Sequence, residues 1–387
     1  MKKYMFVFLA VLFISSSFYV LNKKSEDKEF RGIYFSYIEF SKYIQGKSEE
    51  ESKKNIVNVL DNLKDNHFNN IIVHVRPFSD SIYKSKYYPV SDYVLDNNYE
   101  YPDYDVLEYF VEQSHKRNIK FHAWINPYRI SNVSDVSKLS IDSLYYYFVN
   151  KGDAKLTPKG IYLNPASKDV LEYILLGIDE LIKNYDVDGI HFDDYFYPDK
   201  DIDLASYDKY KDAGGKMSIK EYRYNNISNL LKSTYKIIKE YDKDILFGIA
   251  PEGNIDNCLE NSFLDVPTIL KGEYLDYIMP QIYFGFSNQT RPFIDTLNDW
   301  DLMIKNENIK LIPALAFYKV GTFDKYALSG NSEWIKNNDI ISKEVYNGRN
   351  ALHYNGFSLF SYNYIFNDEY KNDHTEIEFK NLLKVLN

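Results

Sequence analysis

The residues Asp188–Pro198, DGIHFDDYFYP, combine a short apolar run with two adjacent acids. Apolar residues alternate with His191 and Asp193, and this two-residue period is that of a β-strand. The closing proline ends the run, because it has no amide hydrogen for a further ladder bond. The stretch therefore predicts a short, buried strand that delivers Asp193 and Asp194 to the edge of a sheet.

Seven other short apolar runs, bounded by turn residues, alternate along the chain with amphipathic helical patterns. The eight predicted strands are Gly32–Phe40, Asn70–Arg76, Lys120–Asn126, Gly189–Asp193, Ile245–Ala250, Tyr277–Ile282, Lys310–Phe317 and Gly356–Ser361. The predicted helices are Glu51–Asn66, Tyr104–Arg117, Asp169–Tyr185, Ile219–Tyr241, Phe293–Lys305, Glu333–Asn350 and Thr375–Leu386. Short apolar strands of this kind are typical of parallel strands that are buried on both faces.

Eight strand–helix pairs in about 350 residues predict a single-domain (β/α)8 TIM barrel. A doubly wound open sheet is the alternative, but it would require a glycine-rich phosphate loop after a strand, and the sequence has none. The loops after the third and fourth strands, residues 130–162 and 199–218, are long. In barrels such loops build the substrate cleft.

The first 21 residues contain two lysines followed by an uncharged, mostly apolar run. This pattern predicts a signal peptide or an N-terminal membrane anchor. Residues 22–29 are then a charged linker, and residues 30–387 form the barrel. We therefore expect the barrel to lie outside the cytoplasm, secreted or anchored in the membrane and facing the cell wall.

The composition narrows the classes of partner. The net charge of −10 argues against binding to the phosphate backbone of nucleic acid. The one cysteine, Cys258, excludes an intrachain disulfide and a zinc–thiolate site. The 38 tyrosines and 25 phenylalanines suit stacking on sugar rings, although an AT-rich genome also favours these residues. We expect a monomer that needs no cofactor.

Polar residues cluster where the predicted strands end, and barrel active sites lie at those ends. By the strand period, His74 and Arg76 share one face, and Trp124 and Asn126 share another. The candidate substrate-binding residues are Arg76, Trp124, Asn126, Tyr128, Arg129, His191, Tyr195, Gln281 and Tyr283. Since buried polar groups need partners, we expect these side chains to be paired with each other or with a ligand.

Two chemistries fit these residues. The first is glycosidic cleavage, in which one carboxylic acid protonates the leaving oxygen and a second carboxylate supports the oxocarbenium centre. Asp193, Asp194 and Glu252 lie on neighbouring strand ends and are the candidate catalytic residues. Repulsion between like charges would raise the pKa of one of them and make it the proton donor.

The second chemistry is metal-dependent hydrolysis, for instance by a deacetylase. His74, His122 and His191 hold similar positions on three neighbouring strands, and with Asp193 they could bind zinc. Each lies one layer below the rim, however, and no HExxH motif is present, so the favoured interpretation is three buried, hydrogen-bonded histidines and no metal. A third hypothesis is a barrel that binds cell-wall glycan without turnover.

The chain resembles the glycosyl-hydrolase-like 10 family along its whole length after residue 30. The motifs that carry the resemblance are RGIYFSY at Arg31, NIIVHVRPFSDSIYKSKYYPVS at Asn70, FHAWINPYRI at Phe121, YLNPA at Tyr162, VDGIHFDDYFYP at Val187, FGIAP at Phe247, YIMPQIYF at Tyr277 and GFSLFSY at Gly356. The resemblance implies a (β/α)8 barrel that cleaves the glycan strands of bacterial peptidoglycan, as a hydrolase or as a lytic transglycosylase that leaves a 1,6-anhydro end.

The resemblance also implies a catalytic aspartate on the fourth strand, Asp193 or Asp194, and a further acid at Glu252. This chain departs from many family members, which have an aromatic residue at the position of Glu252. The family chemistry therefore does not depend on this glutamate throughout. We expect Asp194 and Glu252 to be the catalytic carboxylates, with Asp193 supporting them.

Overall fold

The computed structural model describes residues 29–387, so the predicted segment 1–21 and nearly all of the linker lie outside the described residues. Eight parallel strands form the centre of the molecule. They are Phe30–Phe35 (β1), Asn70–Arg76 (β2), Lys120–Ile125 (β3), Gly189–Phe192 (β4), Leu246–Ile249 (β5), Tyr277–Ile278 (β6), Lys310–Leu311 with Ala314–Leu315 (β7) and Gly356–Leu359 (β8). Within residues 29–387, no helix is long and apolar enough to cross a membrane.

Each strand pairs in parallel with the next along the chain, and β1 also pairs with β8. The two parts of β7 complete the ring, because the first pairs with β6 and the second with β8. The break between them falls at Pro313, which has no amide hydrogen to donate to the ladder. The predicted (β/α)8 barrel is therefore confirmed.

Helices surround the ring of strands. Their bounds are Tyr37–Tyr43, Glu49–Asp65, Val106–His115, Leu144–Val149, Lys168–Asn184, Leu204–Asp212, Ile219–Tyr241, Ile255–Glu260, Val266–Ile269, Phe293–Met303, Glu333–Lys336, Ile340–Gly348, Tyr362–Phe366 and Asp373–Leu386. The helix predicted from Asp169 begins one residue earlier, at Lys168. Ser167 is its N-cap, and the Ser167 side chain accepts a hydrogen bond from the amide of Val170.

Several predicted elements have other bounds in the structure, and the first strand and the helix 333–350 differ most. The first strand ends at Phe35 and not at residue 40, because Ser36 and Glu39 form a capping box that starts the helix Tyr37–Tyr43. The predicted helix 333–350 is two short helices, Glu333–Lys336 and Ile340–Gly348. In both places a local change of backbone direction interrupts a pattern that is continuous in the sequence.

The inside of the barrel is filled by side chains, as is usual for this fold. One small cluster of buried residues occupies it, separate from the larger core between strands and helices: Phe30, Tyr34, Ile72, Trp124, Ala250, Tyr277, Met279, Ile312 and Ala314. His191 lies among them and bonds through Nε2 to the Tyr34 hydroxyl and through Nδ1 to the Tyr277 hydroxyl, both at 3.0 Å. Tyr277 also bonds to Nδ1 of His122 at 3.2 Å.

The two long loops carry their own structure. The loop after β3 folds into a small antiparallel sheet of Arg129–Ser131, Ala154–Thr157 and Gly160–Leu163. The loop after β4 is tied to the helix Ile219–Tyr241 by a buried ion pair, in which Arg223 Nη2 lies 2.8 Å from Asp203 Oδ1. Both loops rise from the carboxyl ends of the strands, and they therefore wall the mouth of the barrel.

Candidate active site

Asp193 follows the last residue of β4 and is 3% exposed. Its Oδ2 accepts hydrogen bonds of 3.1 Å from Nε1 of Trp124 and from Nδ2 of Asn126, and its Oδ1 accepts a 3.4 Å bond from the Tyr195 amide. Burial raises the pKa of Asp193, while the charge of Arg129 and these three donors act to lower it. Donors on both oxygens favour the ionised form.

The amide of Asn126 is fixed by the turn that follows β3. Its Oδ1 accepts bonds from the backbone amides of Tyr128 at 3.3 Å and of Arg129 at 2.9 Å. Because both bonds require the oxygen to face the turn, the NH2 group must face Asp193. The local sequence NPYR therefore builds the second donor to this carboxylate.

Asp194 lies beside Asp193 but has different surroundings. Burial, the charge of Asp193 and the charge of Glu252 together raise the pKa of Asp194 to about 7. A hydrogen bond from the side chain of Gln281 acts in the opposite direction. The pKa of both aspartates is raised by burial, but three donors act against this at Asp193, whereas the charges of Asp193 and Glu252 add to it at Asp194, so Asp194 is the better placed of the two to be the proton donor.

Glu252 follows β5 and is half-buried. Its Oε2 accepts a 2.9 Å bond from Nδ2 of Asn257, a residue of the helix Ile255–Glu260. Its charge acts on Asp194. The structure thus brings together the three predicted carboxylates, although Glu252 stands on the opposite side of Asp194 from the Trp124–Asn126 donors.

Two cavities meet at Asp194 and Tyr195. The inner cavity, of about 190 Å³, lies over the barrel mouth, and its lining consists of Tyr34, Ser36, Tyr37, Ile38, Trp124, Arg129, Asp193, Asp194, Tyr195, Ala250, Gln281, Tyr283 and Phe360. The outer cavity, of about 450 Å³, lies along the loop after β4 and contains Glu252. Asp194 therefore stands at the centre of a cleft and borders both parts.

Of the predicted substrate-binding residues, five line the inner cavity: Trp124, Arg129, Tyr195, Gln281 and Tyr283. The guanidinium of Arg129 lies 4.6 Å from the ring centres of both Phe78 and Tyr195. Gln281 is held by a 2.9 Å bond from its Nε2 to the carbonyl oxygen of Ala250. Asn126 supports Asp193 from below without lining the cavity.

The prediction that Arg76 shares a face with His74 is wrong. A bulge in β2 pairs His74 with Trp124 but Arg76 with Ile125, so the extra residue turns Arg76 toward the helices. Its guanidinium lies 3.9 Å from the ring centre of Tyr88, in the helix layer. Arg76 therefore does not reach the cleft.

Two other predicted residues also lie away from the cavities. Tyr128 is 1% exposed and packs in the large core. His191 is fully buried in the barrel one layer below Asp193, with both ring nitrogens bonded to tyrosines. Neither can touch a substrate in this arrangement, and the strand period does not reveal how deep a residue lies.

Tyr34, Tyr37 and Phe360 also line the inner cavity, and they had not been predicted. Tyr34 is on the inward face of β1, and its position on that face was the available signal. Tyr37 lies in the helix that replaced the end of the predicted first strand. Phe360 directly follows β8.

The metal hypothesis has no support in the described chain. Among residues 29–387, no three His, Cys, Asp or Glu side chains are placed to hold a metal ion. His122 bonds to Tyr277 and Asn70, and His191 bonds to Tyr34 and Tyr277. These two histidines confirm the prediction of buried, hydrogen-bonded rings. His74 differs, since it is buried but neither of its ring nitrogens has a partner among the described residues.

Comparison with known sequences places this chain in a family. Residues 29–334 match the profile of the family described as glycosyl hydrolase-like 10. The chain is 32% identical over 335 residues to Glycosyl hydrolase YngK of Bacillus subtilis (strain 168), covering 80% of this chain and 64% of YngK. It is 29% identical over 289 residues to Glycosyl hydrolase DigH of Escherichia coli (strain K12), covering 69% of this chain and 66% of DigH. The matched region thus spans about two thirds of each relative.

Solved structures share the fold. The glycoside hydrolase domain of PgaB (BpsB) from Bordetella bronchiseptica has a TM-score of 0.57 at 14% identity, covering 93% of this chain and 99% of that domain. The endo-1,4-beta-mannanase from Rhizomucor miehei also has a TM-score of 0.57, at 11% identity, covering 93% and 95%. At these identities the likeness shows a common barrel.

Proposed function

Because the chain belongs to the glycosyl hydrolase-like 10 family, we propose that it is a glycosidase that cleaves the glycan backbone of bacterial peptidoglycan by carboxylate acid/base catalysis. The observation that carries the proposal is the pair at the end of β4, where Asp194 has a pKa of about 7 beside an Asp193 held by three donors. The motif resemblance to enzymes of peptidoglycan glycan strands supports the choice of polymer.

In the proposed reaction, the protonated carboxyl of Asp194 gives its proton to the glycosidic oxygen as the bond from that oxygen to the sugar carbon breaks. The bond electrons stay with the oxygen, and positive charge develops on the sugar ring. The ionised carboxylate of Asp193 stabilises this charge. Glu252 lines the outer cavity, and its charge adds to the effects of burial and of Asp193 that raise the pKa of Asp194 to about 7.

The fate of the sugar cation decides between two kinds of product. Attack by water gives a reducing end, which makes the protein a hydrolase. Attack by a hydroxyl group of the substrate itself gives a 1,6-anhydro end, which makes it a lytic transglycosylase. In both cases Asp194 supplies the proton to the leaving oxygen, and its carboxylate then takes the proton that the attacking water or hydroxyl loses, so the two outcomes share one catalytic centre.

The decisive experiment is digestion of purified peptidoglycan glycan strands, stripped of peptides, followed by mass analysis of the products. We expect shorter strands. The mass of the new end identifies the reaction, because an anhydro sugar lacks one water and is about 18 Da lighter than a reducing sugar. The Asp194→Asn variant should give no products. Absence of cleavage by the wild-type protein, with cleavage of another polysaccharide such as a mannan, would refute the choice of substrate.

The proposal also concerns where the enzyme acts. The apolar run in residues 1–21 would carry the barrel across the membrane or anchor it there. Peptidoglycan lies on the outer side of the cytoplasmic membrane, so the proposed localisation and the proposed substrate are consistent. Fractionation of cells that express the full chain tests this point independently of activity.

A third cavity, of about 450 Å³, lies beside the inner cavity, between the loops after β2 and β3. Phe78 and Tyr93 line it, and their ring centres lie 5.0 and 5.4 Å from that of Tyr37, which lines the inner cavity. Aromatic faces with a polar rim suit sugar rings. The contact of these rings with Tyr37 supports a polymer as the substrate, with sugar units on both sides of the cleaved bond.

The third cavity predicts a dependence on chain length. Tyr93→Ala should lower kcat/KM for long glycan strands by about fivefold, the factor that corresponds to one lost stacking contact of about 1 kcal/mol. Strands too short to reach this cavity should be cleaved at the wild-type rate. The rates are measured on strands fractionated by length. Tyr346→Ala, which removes an exposed tyrosine outside these cavities, is the control and should change neither rate. An equal loss on short and long strands would contradict the prediction.

A further inference from the structure

Trp124 belongs to the cluster of side chains inside the barrel and is hydrogen-bonded to Asp193 at the barrel mouth. Its Nε1 donates a 3.1 Å hydrogen bond to Asp193 Oδ2, and its ring is 7% exposed. An indole can make this bond in only one orientation of its side chain, because it has a single N–H group. Whatever holds the indole in place therefore also controls one of the donors that keep Asp193 ionised.

His74 lies flat against this indole. The two ring centres are 3.7 Å apart, and the ring planes differ by 4°. Tyr34 meets the same indole edge-on, at 5.3 Å and 80°. The indole is thus held by a parallel ring on one face and by a perpendicular ring at another side.

His74 is also an unusual choice for its position. It is fully buried, and within residues 29–387 neither Nδ1 nor Nε2 has a hydrogen-bond partner. Burying such atoms without partners costs free energy that an apolar side chain would not cost. His122 and His191, in the same barrel, use both ring nitrogens. Hydrogen bonding therefore does not explain His74, whereas its flat contact with Trp124 does.

We propose that His74 is a positioning residue, whose ring supports the indole of Trp124 so that the Nε1–H group stays directed at Asp193. This role rests on the proposed function of Asp193 and Asp194 as the catalytic pair. His74 acts through Trp124 and does not touch the substrate. A leucine at this position would fill space but would leave the indole free to tilt on that face.

The groups around Asp193 determine how the effect would be seen. The charged or titratable groups that act on or face it are Arg129, Asp194, Tyr34, Tyr162 and Tyr195. Burial, with the charges of Arg129 and His191, holds the pKa of His74 well below its usual range. His74 is thus neutral over the working range of pH, and a change in the pH profile on its replacement reports on Asp193.

The first test is the pH dependence of glycan cleavage. Removing a donor raises the pKa of the ionised partner, so His74→Leu should move the acidic limb of the kcat profile up by about one pH unit. On the acidic limb kcat should therefore fall about tenfold, with little change in KM. Trp124→Phe should give the same shift, and the double variant should add nothing further. His74→Phe, which keeps a flat ring, should retain the wild-type profile.

The second test does not depend on activity. The chain has three tryptophans, so protein labelled with 15N-tryptophan gives three indole N–H signals, and Trp124→Phe identifies one of them. In the wild type this signal should move as Asp193 titrates. In His74→Leu, or in His74→Gln if the leucine variant does not fold, it should shift upfield and lose this titration.

The control is His122→Phe, because His122 is equally buried but contacts Tyr277 and Asn70. It should lower stability without moving the Trp124 signal. A folded His74→Leu or His74→Gln variant whose Trp124 signal and titration match the wild type would overturn the proposal. If the signal behaves as expected but no glycan is cleaved, the proposed function fails while the positioning role stands.

Discussion

Asp194→Asn is expected to lower kcat for glycan cleavage by between about 10²- and 10⁴-fold, the range usual for loss of a general acid. Asparagine keeps the size of the side chain but has no proton to give to the leaving oxygen. The measurement is the rate at which new chain ends form from peptide-free glycan strands. A thermal melt of the variant establishes that the protein remains folded.

Asp208→Asn is the matched control. Asp208 is exposed on the helix Leu204–Asp212, in the same loop region after β4, and the same chemical change there should leave kcat unaltered. If Asp194→Asn retained activity while Asp193→Asn lost it, the roles of the two aspartates would have to be exchanged. If both retained activity, the assignment of the site would be wrong.

The pH profile follows from the same residue. A proton donor with a pKa of about 7 is protonated at pH 6 and mostly ionised at pH 8, so activity should fall as the pH rises through about 7. The charge of Glu252 contributes to this raised pKa. Glu252→Gln should therefore move the alkaline limb to lower pH. An abolished rate at every pH would instead identify Glu252 as a catalytic group.

Arg223→Met is expected to destabilise the protein by about 3–5 kcal/mol, the cost of leaving a buried charge without its partner. Nε and Nη2 of Arg223 donate to both carboxylate oxygens of Asp203 at 2.8–3.2 Å, and the aspartate is fully buried. The hydroxyl of Tyr197 donates to the same carboxylate at 3.2 Å. Methionine replaces the volume of the side chain but leaves Asp203 unpaired.

The measurement is thermal unfolding, and Tm should fall by roughly 4–7 °C for a domain of this size. Lys220→Met is the control, because Lys220 lies on the same helix and forms a 2.6 Å ion pair with Glu260 that is open to solvent. Exposed pairs contribute little, so Tm should stay unchanged. Equal melting points for the two variants would contradict the assigned role of the buried pair.

Arg223 also bears on catalysis, since the loop it fixes begins at Asp194. Asp203 is the far end of this loop, and Tyr197 lies between them on the wall of the outer cavity. We expect Arg223→Met also to lower kcat, even at temperatures well below its Tm, because the loop loses its anchor. This loss should be smaller than that of Asp194→Asn.

The sequence by itself determined the barrel and the place of its candidate active site. Short apolar strands that alternate with amphipathic helices have few other ways to bury their apolar surface. In a parallel barrel all strands end at the same rim, so acids that follow a strand must lie there. Asp193, Asp194 and Glu252 could therefore be placed together from their positions alone. Trp124 and Asn126 followed from the two-residue period of β3.

Tertiary structure alone decided the remaining features. The bulge in β2 adds one residue and turns Arg76 away from the cleft. No residue type in that strand predicts the bulge. The contrast between Asp193 and Asp194 arises from donors and charges on β3, β5 and the loops, which only the folded chain brings to them. Local periodicity fixes which face a side chain occupies, whereas its depth, its partners and its pKa depend on residues distant in the chain.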